Sequence, residues 1–493
     1  MRRDGSRIAW RGLAVIAAAF AAVLVAAAGG YGYHRDELYF IVIGGHPALG
    51  YVDQPPLVPL LAHAMDALSG HSLVWLRVPS ALAGALLVAV TGLIAREFGA
   101  GRGGQSLAAG SVAVSFVLVG AAHLASTSAF DLLGWTVVSW LVVRAVRGGG
   151  PRWLLVGLAA GVGLEVKTLM AFFLAALVVG VLLGGPRRVF ADPWLWAAGA
   201  VALALWAPNL AWQASHGWPQ LTLSRSIAAG HSGTSAPRWL FLPYQIGLVS
   251  PFLAPIWISG LWRLARDPAL AAWRGFAVAY AVLVVLFVAT GGKPYYLCGV
   301  YPVLLAAGAE PTLAWMRRGV GRVRPVLLGA ALALTGLGSA LVTLPVVPVT
   351  ALHDTGIVTV NYDAGEQVGW PAFAATVGGA YDALPAGRRR HAVVLGGNYG
   401  ETGALARFRP GIPSYGGHNS LWDLGPPPPD TDTVVVVGYP ERDLRRWFAD
   451  VRGVATVDNG VQVDNDEQGR PVWLCTDPTQ PWSALWPQLH RLG

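Results

Sequence analysis

The sequence predicts a multi-pass α-helical membrane protein with a small α/β domain at its C-terminal end. Three observations predict it. Hydrophobic residues make up 54% of the 493 and charged residues only 13%, with a mean hydropathy of +0.50. Soluble domains carry about 25% charge, so these charges are too few to cover a water-facing surface of this size. The apolar residues gather in long runs over residues 1–344, and the pattern changes after that. Intrinsic disorder is excluded by the same composition. Two cysteines with no CxxC spacing exclude a disulfide scaffold and a cysteine-rich zinc site.

A spanning helix needs about 20 mainly apolar residues. Eleven stretches approach that length: 13–30, 72–95, 106–122, 131–143, 153–165, 168–184, 194–209, 240–262, 273–290, 297–315 and 326–344. The first reads as a span rather than a cleaved leader, because further spans come after it. Cytoplasmic loops are enriched in Lys and Arg. With the N-terminus inside, the inner segments collect the arginines of 2–11, 96–102, 144–152, 187–188, 263–274 and 317–324. The outer side of residues 1–344 keeps only Arg35, Arg77, Lys167, Arg225, Arg238 and Lys293. The net charge of +8 is therefore topology, not a nucleic-acid footprint. An odd span count puts 345–493 outside the cell membrane.

The outer face carries the chemistry. All 11 histidines fall there, as do the chain's two lysines, Lys167 and Lys293. The first outer loop, 31–71, is too long for a simple connector. Within it 36–43 reads as an amphipathic helix with an acidic start, and 56–68 as a second one along the interface. The second outer loop, 208–239, ends in the Gly/Ser stretch AAGHSGTSAPRW, a candidate substrate-gated loop. In the tail, HAVVL (391–395) and TVVVVGY (433–439) read as buried strands, and 366–384 and 441–451 as helices. GGNYGETG after the first strand faintly suggests a dinucleotide turn. The motif is incomplete, and the outer compartment lacks free nucleotides.

Asp36 and Glu37 form the leading candidate site. Carboxylates at membrane depth lie in a lowered dielectric, which can tune one of them to take a proton from an acceptor hydroxyl. The bland alternative is a charge pair at a helix start. Asp53 precedes Gln54-Pro55-Pro56, a rigid turn that fits a metal ligand or a second substrate contact. Lys293, Tyr295 and Tyr296 lie at a helix boundary where an ammonium and phenols could receive a phosphate leaving group. A snorkelling lysine in an aromatic belt is the plainer reading. Lys167, Asp131, Arg225 and Arg238 are further donor-site candidates. His216 is a candidate ligand, with Asp53, for a divalent metal ion. Trp218 could stack on a sugar ring.

HRDELYF (34–40) followed by YVDQPPL (51–57) resembles the first outer loop of the GT-C glycosyltransferases. Within them it is similar to the bacterial protein O-mannosyltransferase-like group, which includes the aminoarabinose transferase of lipid A. The resemblance continues through FDLLGWT, GVGLEVKTLMAFF, PNLAWQASHGWP, KPYYLCGVYP and the tail segment GGNYGETGAL…SYGGHNSLWDLGPP. It implies a GT-C-like fold of about eleven transmembrane helices over residues 1–344, with an extracytoplasmic α/β domain over 345–493. The implied activity is transfer of a sugar from a polyprenyl-phosphate donor to a lipid, glycan or protein hydroxyl on the outer face, with inversion. By the same resemblance Asp36 is the catalytic acid/base residue and Glu37 its partner, while Lys293 and its tyrosines line the donor phosphate. Gln54 stands where some relatives carry Lys, and is read as an acceptor contact or a turn residue.

The rival reading is a lipid-linked sugar flippase or transporter. It needs polar groups near mid-bilayer and usually an internal repeat; here the ionisable residues crowd one face. A second rival is a non-catalytic scaffold, for which Asp36 and Glu37 would be incidental.

Overall fold

The computed structural model describes residues 7–230 and 237–493. Arg2, Arg3 and positions 231–236 of the Gly/Ser stretch lie outside the described residues. The chain gathers into two compact units. One comprises residues up to Ala28 with Arg77–Gly217 and Ile227–Leu344; the other comprises Gly29–Leu76, Trp218–Ser226 and Pro345–Gly493.

The first unit is helical. Trp10–Ala27, Leu73–Glu97, Thr127–Gly148, Pro193–Ser215, Pro294–Arg317 and Val323–Thr343 are each long and apolar enough to cross a membrane. Arg152–Leu164, Leu169–Gly184 and Gly275–Thr290 are shorter apolar helices. Each of the eleven apolar stretches falls on helix, but two are not straight. The stretch 106–122 bends by 60° between Arg102–Ala113 and Phe116–His123. There Ser115 is extended and its hydroxyl bonds the Val112 carbonyl (2.7 Å), diverting the backbone from the helical ladder. The stretch 240–262 bends by 109° between Arg238–Val249 and Ala254–Arg266. Pro251 supplies no N–H and disfavours the helical region for Ser250, at which the first segment stops and which stands at φ +146°.

Small residues let the helices of this unit close up, as expected where lipid offers no hydrophobic drive between helices. A side chain on Gly260 would collide with the Leu304 carbonyl, and one on Gly308 with the Ile256 carbonyl. Trp135 stacks on Phe173 with ring centres 4.2 Å apart. Only 11% of the apolar window of Val323–Thr343 is buried, which leaves a bare hydrocarbon face that suits lipid and not water. The protein is a multi-pass membrane protein.

The second unit is built on a five-stranded sheet of order β2-β1-β3-β5-β4. Its strands are β1 (Ala392–Gly396), β2 (Ser414–Gly416), β3 (Thr433–Val437), β4 (Phe448–Thr456) and β5 (Pro471–Pro478). β1 pairs in parallel with β2 and β3, and β5 runs antiparallel to β3 and β4. The apolar runs of β1 and β3 are buried along their whole length, the pattern of central parallel strands. The helix expected over 441–451 stops at Trp447, and Phe448–Val451 begin β4. Pairing of Asp450 and Val451 with Thr476 and Cys475 outweighs the local helical pattern. The segment 208–239 is not an open loop throughout: Pro219–Ala228 is a helix, entered through Gly217 and Trp218, both at positive φ.

Among the helices of this unit are α1 (Arg35–Gly44), α2 (Leu57–Leu68), α3 (Trp370–Asp382) and α4 (Tyr399–Phe408). The last runs from β1 toward β2.

Candidate functional site

In the second unit the carboxylates gather at the start of α1. A reciprocal cap sets that start: the His34 N–H donates to Glu37 Oε2 (2.8 Å), and the Asp36 N–H donates to His34 Nδ1 (3.2 Å). The His34 Nε2 lies 3.5 Å from an Asp363 oxygen. Glu37 is fully buried in this cap. Asp36 is half-buried. The Tyr399 hydroxyl donates to its Oδ1 at 2.8 Å, and Oδ2 takes no hydrogen bond from the described residues.

Aromatic and charged groups fix this carboxylate's surroundings. Tyr399 lies 4.7 Å from the Tyr39 ring and 4.9 Å from His418. The Arg35 guanidinium sits 4.7 Å above the Tyr399 ring and donates to Glu366 (3.1 Å), Asp466 (2.8 Å) and the Tyr362 hydroxyl (2.6 Å). Tyr39 in turn donates to Asp53 Oδ1 at 2.9 Å. Burial pushes the Asp53 carboxyl up to about 7, and the nearby Asp36 charge adds to this against the Tyr39 hydrogen bond. Gln54 is 6% exposed; its backbone carbonyl closes a turn on the Tyr51 N–H, and its Nε2 has no hydrogen-bond partner among the described residues. Pro55 and Pro56 then lead into α2.

The turn after β1 explains the GGNYGETG motif. Asn398 caps α4, and Glu401 accepts from the N–H groups of both Gly397 and Asn398. The amide cradle that would hold a phosphate in a dinucleotide turn is thus filled by the chain's own carboxylate.

In the first unit the two lysines converge on one aromatic ring. Lys167 Nζ lies 5.3 Å from the Tyr295 ring centre and 5.9 Å from that of Tyr296; Lys293 Nζ lies 6.0 Å from Tyr295. Lys167 stands at the break between Arg152–Leu164 and Leu169–Gly184. Lys293 comes just after the left-handed Gly291 that ends Gly275–Thr290. Buried Asp131 lies within electrostatic range of Lys167. Both ammonium groups thus lie within cation–π range of the same ring.

Other candidates stand apart from these clusters. Arg225, Arg238 and Trp218 are exposed. His216 is stacked on Trp212 at 4.1 Å with Nδ1 bonded to the Trp212 carbonyl (2.8 Å), a cap for its own helix. Among the described residues no three His, Cys, Asp or Glu side chains come together as a metal site. Asp53 and His216 each have a local partner. Sequence reasoning does not single out Tyr399, Tyr39 or Arg35. The Asn398-x-x-Glu401 capping pattern is the available signal that a helix, with Tyr399 as its first residue, begins there.

The family described as dolichyl-phosphate-mannose-protein mannosyltransferase matches residues 53–212. The chain is 27% identical over 249 residues to the undecaprenyl phosphate-alpha-4-amino-4-deoxy-L-arabinose arabinosyl transferase 1 of Pseudomonas fluorescens, covering 47% of this chain and 44% of that one. It is 26% identical over 308 residues to the corresponding transferase of Pseudomonas savastanoi, covering 59% and 57%. The chain spans about half the length of the curated relatives it matches. The crystal structure of ArnT from Cupriavidus metallidurans in the apo state aligns with a TM-score of 0.63 over 94% of this chain and 98% of that one, at 15% identity. The same protein bound to undecaprenyl phosphate aligns with a TM-score of 0.58, at 16% identity over 93% and 97%. This chain has the ArnT fold. In sequence and in fold it is similar to the GT-C glycosyltransferases that its motifs resemble, and the ArnT likeness extends over almost the whole chain.

Proposed function

We propose that this chain is a membrane glycosyltransferase that moves a sugar from a polyprenyl-phosphate donor to a hydroxyl acceptor on the outer face. The observation that carries this reading is the state of Asp36: one carboxylate oxygen is tied to Tyr399, and the other is left for a substrate proton. Asp36 takes the proton of the acceptor hydroxyl. The acceptor oxygen then bonds to the anomeric carbon, and the bond from that carbon to the lipid phosphate breaks, its electron pair leaving with the phosphate. One displacement inverts the anomeric centre. Within the helical unit, Lys167 and Lys293 with the phenols of Tyr295 and Tyr296 are the groups suited to an anionic group of the donor. Asp53, raised to about 7 by burial, is protonated below neutral pH and there acts as a neutral donor, and the unbonded amide of Gln54 serves the acceptor. Glu37 serves by fixing the start of α1.

Six long helices, two bent pairs and the three shorter apolar helices of the first unit (Leu57–Leu68 belongs to the second) together support a reading of eleven spans. With arginines concentrated on alternate loops, the N-terminus is cytoplasmic and Pro345–Gly493 extracytoplasmic. A lipid-carried donor suits that side, because nucleotide sugars are cytoplasmic. The acceptor is a lipid, a cell-envelope glycan or a protein.

The test uses purified protein in liposomes with undecaprenyl-phosphate-linked aminoarabinose and mannose in turn, and a membrane extract as acceptor. The expected result is free undecaprenyl phosphate and a labelled acceptor. Asp36→Asn is expected to lower turnover by about 10²–10⁴-fold with donor binding kept. Wild-type turnover in that variant would remove Asp36 from the chemistry. Transbilayer movement of the labelled lipid without acceptor, and without free lipid phosphate, would put a flippase in place of the transferase.

A further inference from the structure

We infer that Tyr399 is a positioning residue for the Asp36 carboxylate, and that α4 is the mount on which the 31–71 segment is held. This rests on Asp36 being the base. The residues of α4 that grip that segment are 399, 400, 403 and 407, the spacing of a single helical face. At the N-terminal end Tyr399 donates to Asp36 Oδ1 and carries the Arg35 guanidinium on its ring. A side chain on Gly400 would lie 2.9 Å from Arg35 Cβ, and one on Gly403 would lie 2.9 Å from the Leu38 backbone and Cβ. Only glycine lets α1 approach this closely. At the C-terminal end Arg407 donates to the Tyr33 hydroxyl (2.9 Å) and the His71 carbonyl (2.7 Å), and pairs with buried Asp66 at 3.4 Å. Tyr33 precedes α1, and Asp66 and His71 end the segment, so α4 holds it at both ends.

The start of α4 is itself immobilised. Glu401 and Asn398 cap each other, and Arg491 donates to the Gly397 carbonyl at 3.0 Å. Tyr399 stands where β1 ends, between its two parallel neighbours. That is the place where doubly wound sheets usually take a ligand. Here it takes the catalytic segment of the same chain. A hydrogen bond on Oδ1 alone fixes the rotation of the carboxylate and turns Oδ2 to the substrate. Without it the base can rotate, and a carboxylate that loses a donor holds its proton to higher pH.

The test compares Tyr399→Phe and Tyr399→His with the wild type, reading turnover as release of free undecaprenyl phosphate across pH. Tyr399→Phe removes one oxygen. It should lower kcat roughly tenfold to hundredfold, the weight of one hydrogen bond to a charged group, with KM for the lipid donor nearly unchanged. The acid limb of its pH–rate profile should move to higher pH, which a packing role would not produce. Tyr399→His keeps a ring and a donor and should recover part of the rate and of the shift. Unchanged kcat and an unmoved acid limb in Tyr399→Phe would overturn the inference, as would a histidine variant no better than phenylalanine. If Asp36→Asn retains turnover, the base assignment itself fails; if Asp36→Asn is inactive while Tyr399→Phe is normal, only the positioning role fails. Melting in detergent within a few degrees of wild type confirms that the variants are folded.

Discussion

At the scale of single residues, the two acids of the 31–71 segment are separated by environment rather than by chemistry. Asp36 is held by a phenol from α4, while Asp53 is bonded to Tyr39 and its carboxyl is pushed up to about 7 by burial. The folded value of about 7 for Asp53 lies above its ordinary 3.8. The folded chain therefore holds a proton that the unfolded chain releases. The stability this contributes is complete below about pH 4 and is lost as pH rises through about 7. Asp53→Asn, which imitates the protonated form, should flatten that dependence. Its melting midpoint at pH 8 should exceed the wild type's by something on the order of a few degrees, with little difference near pH 4. Equal pH slopes for the two proteins would argue against a buried proton at Asp53. Asp36 is legible as a candidate because two acids beside a long apolar run are conspicuous. Its partner is not, since Tyr399 lies 363 positions away and no local pattern joins them.

At the scale of elements, the contact of α1 with α4 depends on the absence of side chains at Gly400 and Gly403. An added Cβ at Gly403 meets Leu38 backbone, which cannot swing aside as a flexible side-chain end would. Gly403→Ala should cost about 1–3 kcal/mol and reduce turnover by displacing α1. Gly411→Ala, where nothing lies within 4 Å, should change neither. Thermal melting and lipid phosphate release measure both, and a fully active, undisturbed Gly403→Ala would refute the tight fit. Elements are legible where one period dominates. The apolar runs form helices, and HAVVL and TVVVVGY form β1 and β3. The 109° bend is hidden by the continuous apolar character of its run, although Ser250-Pro251 sits inside it. Residues 448–451 join a strand through long-range pairing that their own sequence does not specify.

At the scale of the whole molecule, the distribution of arginine argues for an extracytoplasmic tail. An alkaline phosphatase fusion at Gly493 should be active and a cytosolic reporter fused there silent. The opposite pattern would reverse the orientation. In the sequence Lys167 and Lys293 are two separate candidates, because their convergence on Tyr295 requires the 126 positions that separate them to fold. The grouping of Gly29–Leu76 with Pro345–Gly493 is likewise invisible in a linear reading, in which a loop between spans looks like part of the membrane domain.

That grouping governs how homologous proteins can be recombined. A chimera joined at residue 345 would exchange the sheet and α4 while leaving behind the segment they grip, and would separate Asp36 from its phenol even if both halves folded. Crossovers that transplant Gly29–Leu76 and Trp218–Ser226 along with the tail keep the 31–71 segment and its holder from one parent. Only such transplants keep Asp36 and Tyr399 from one parent while the helical unit is exchanged.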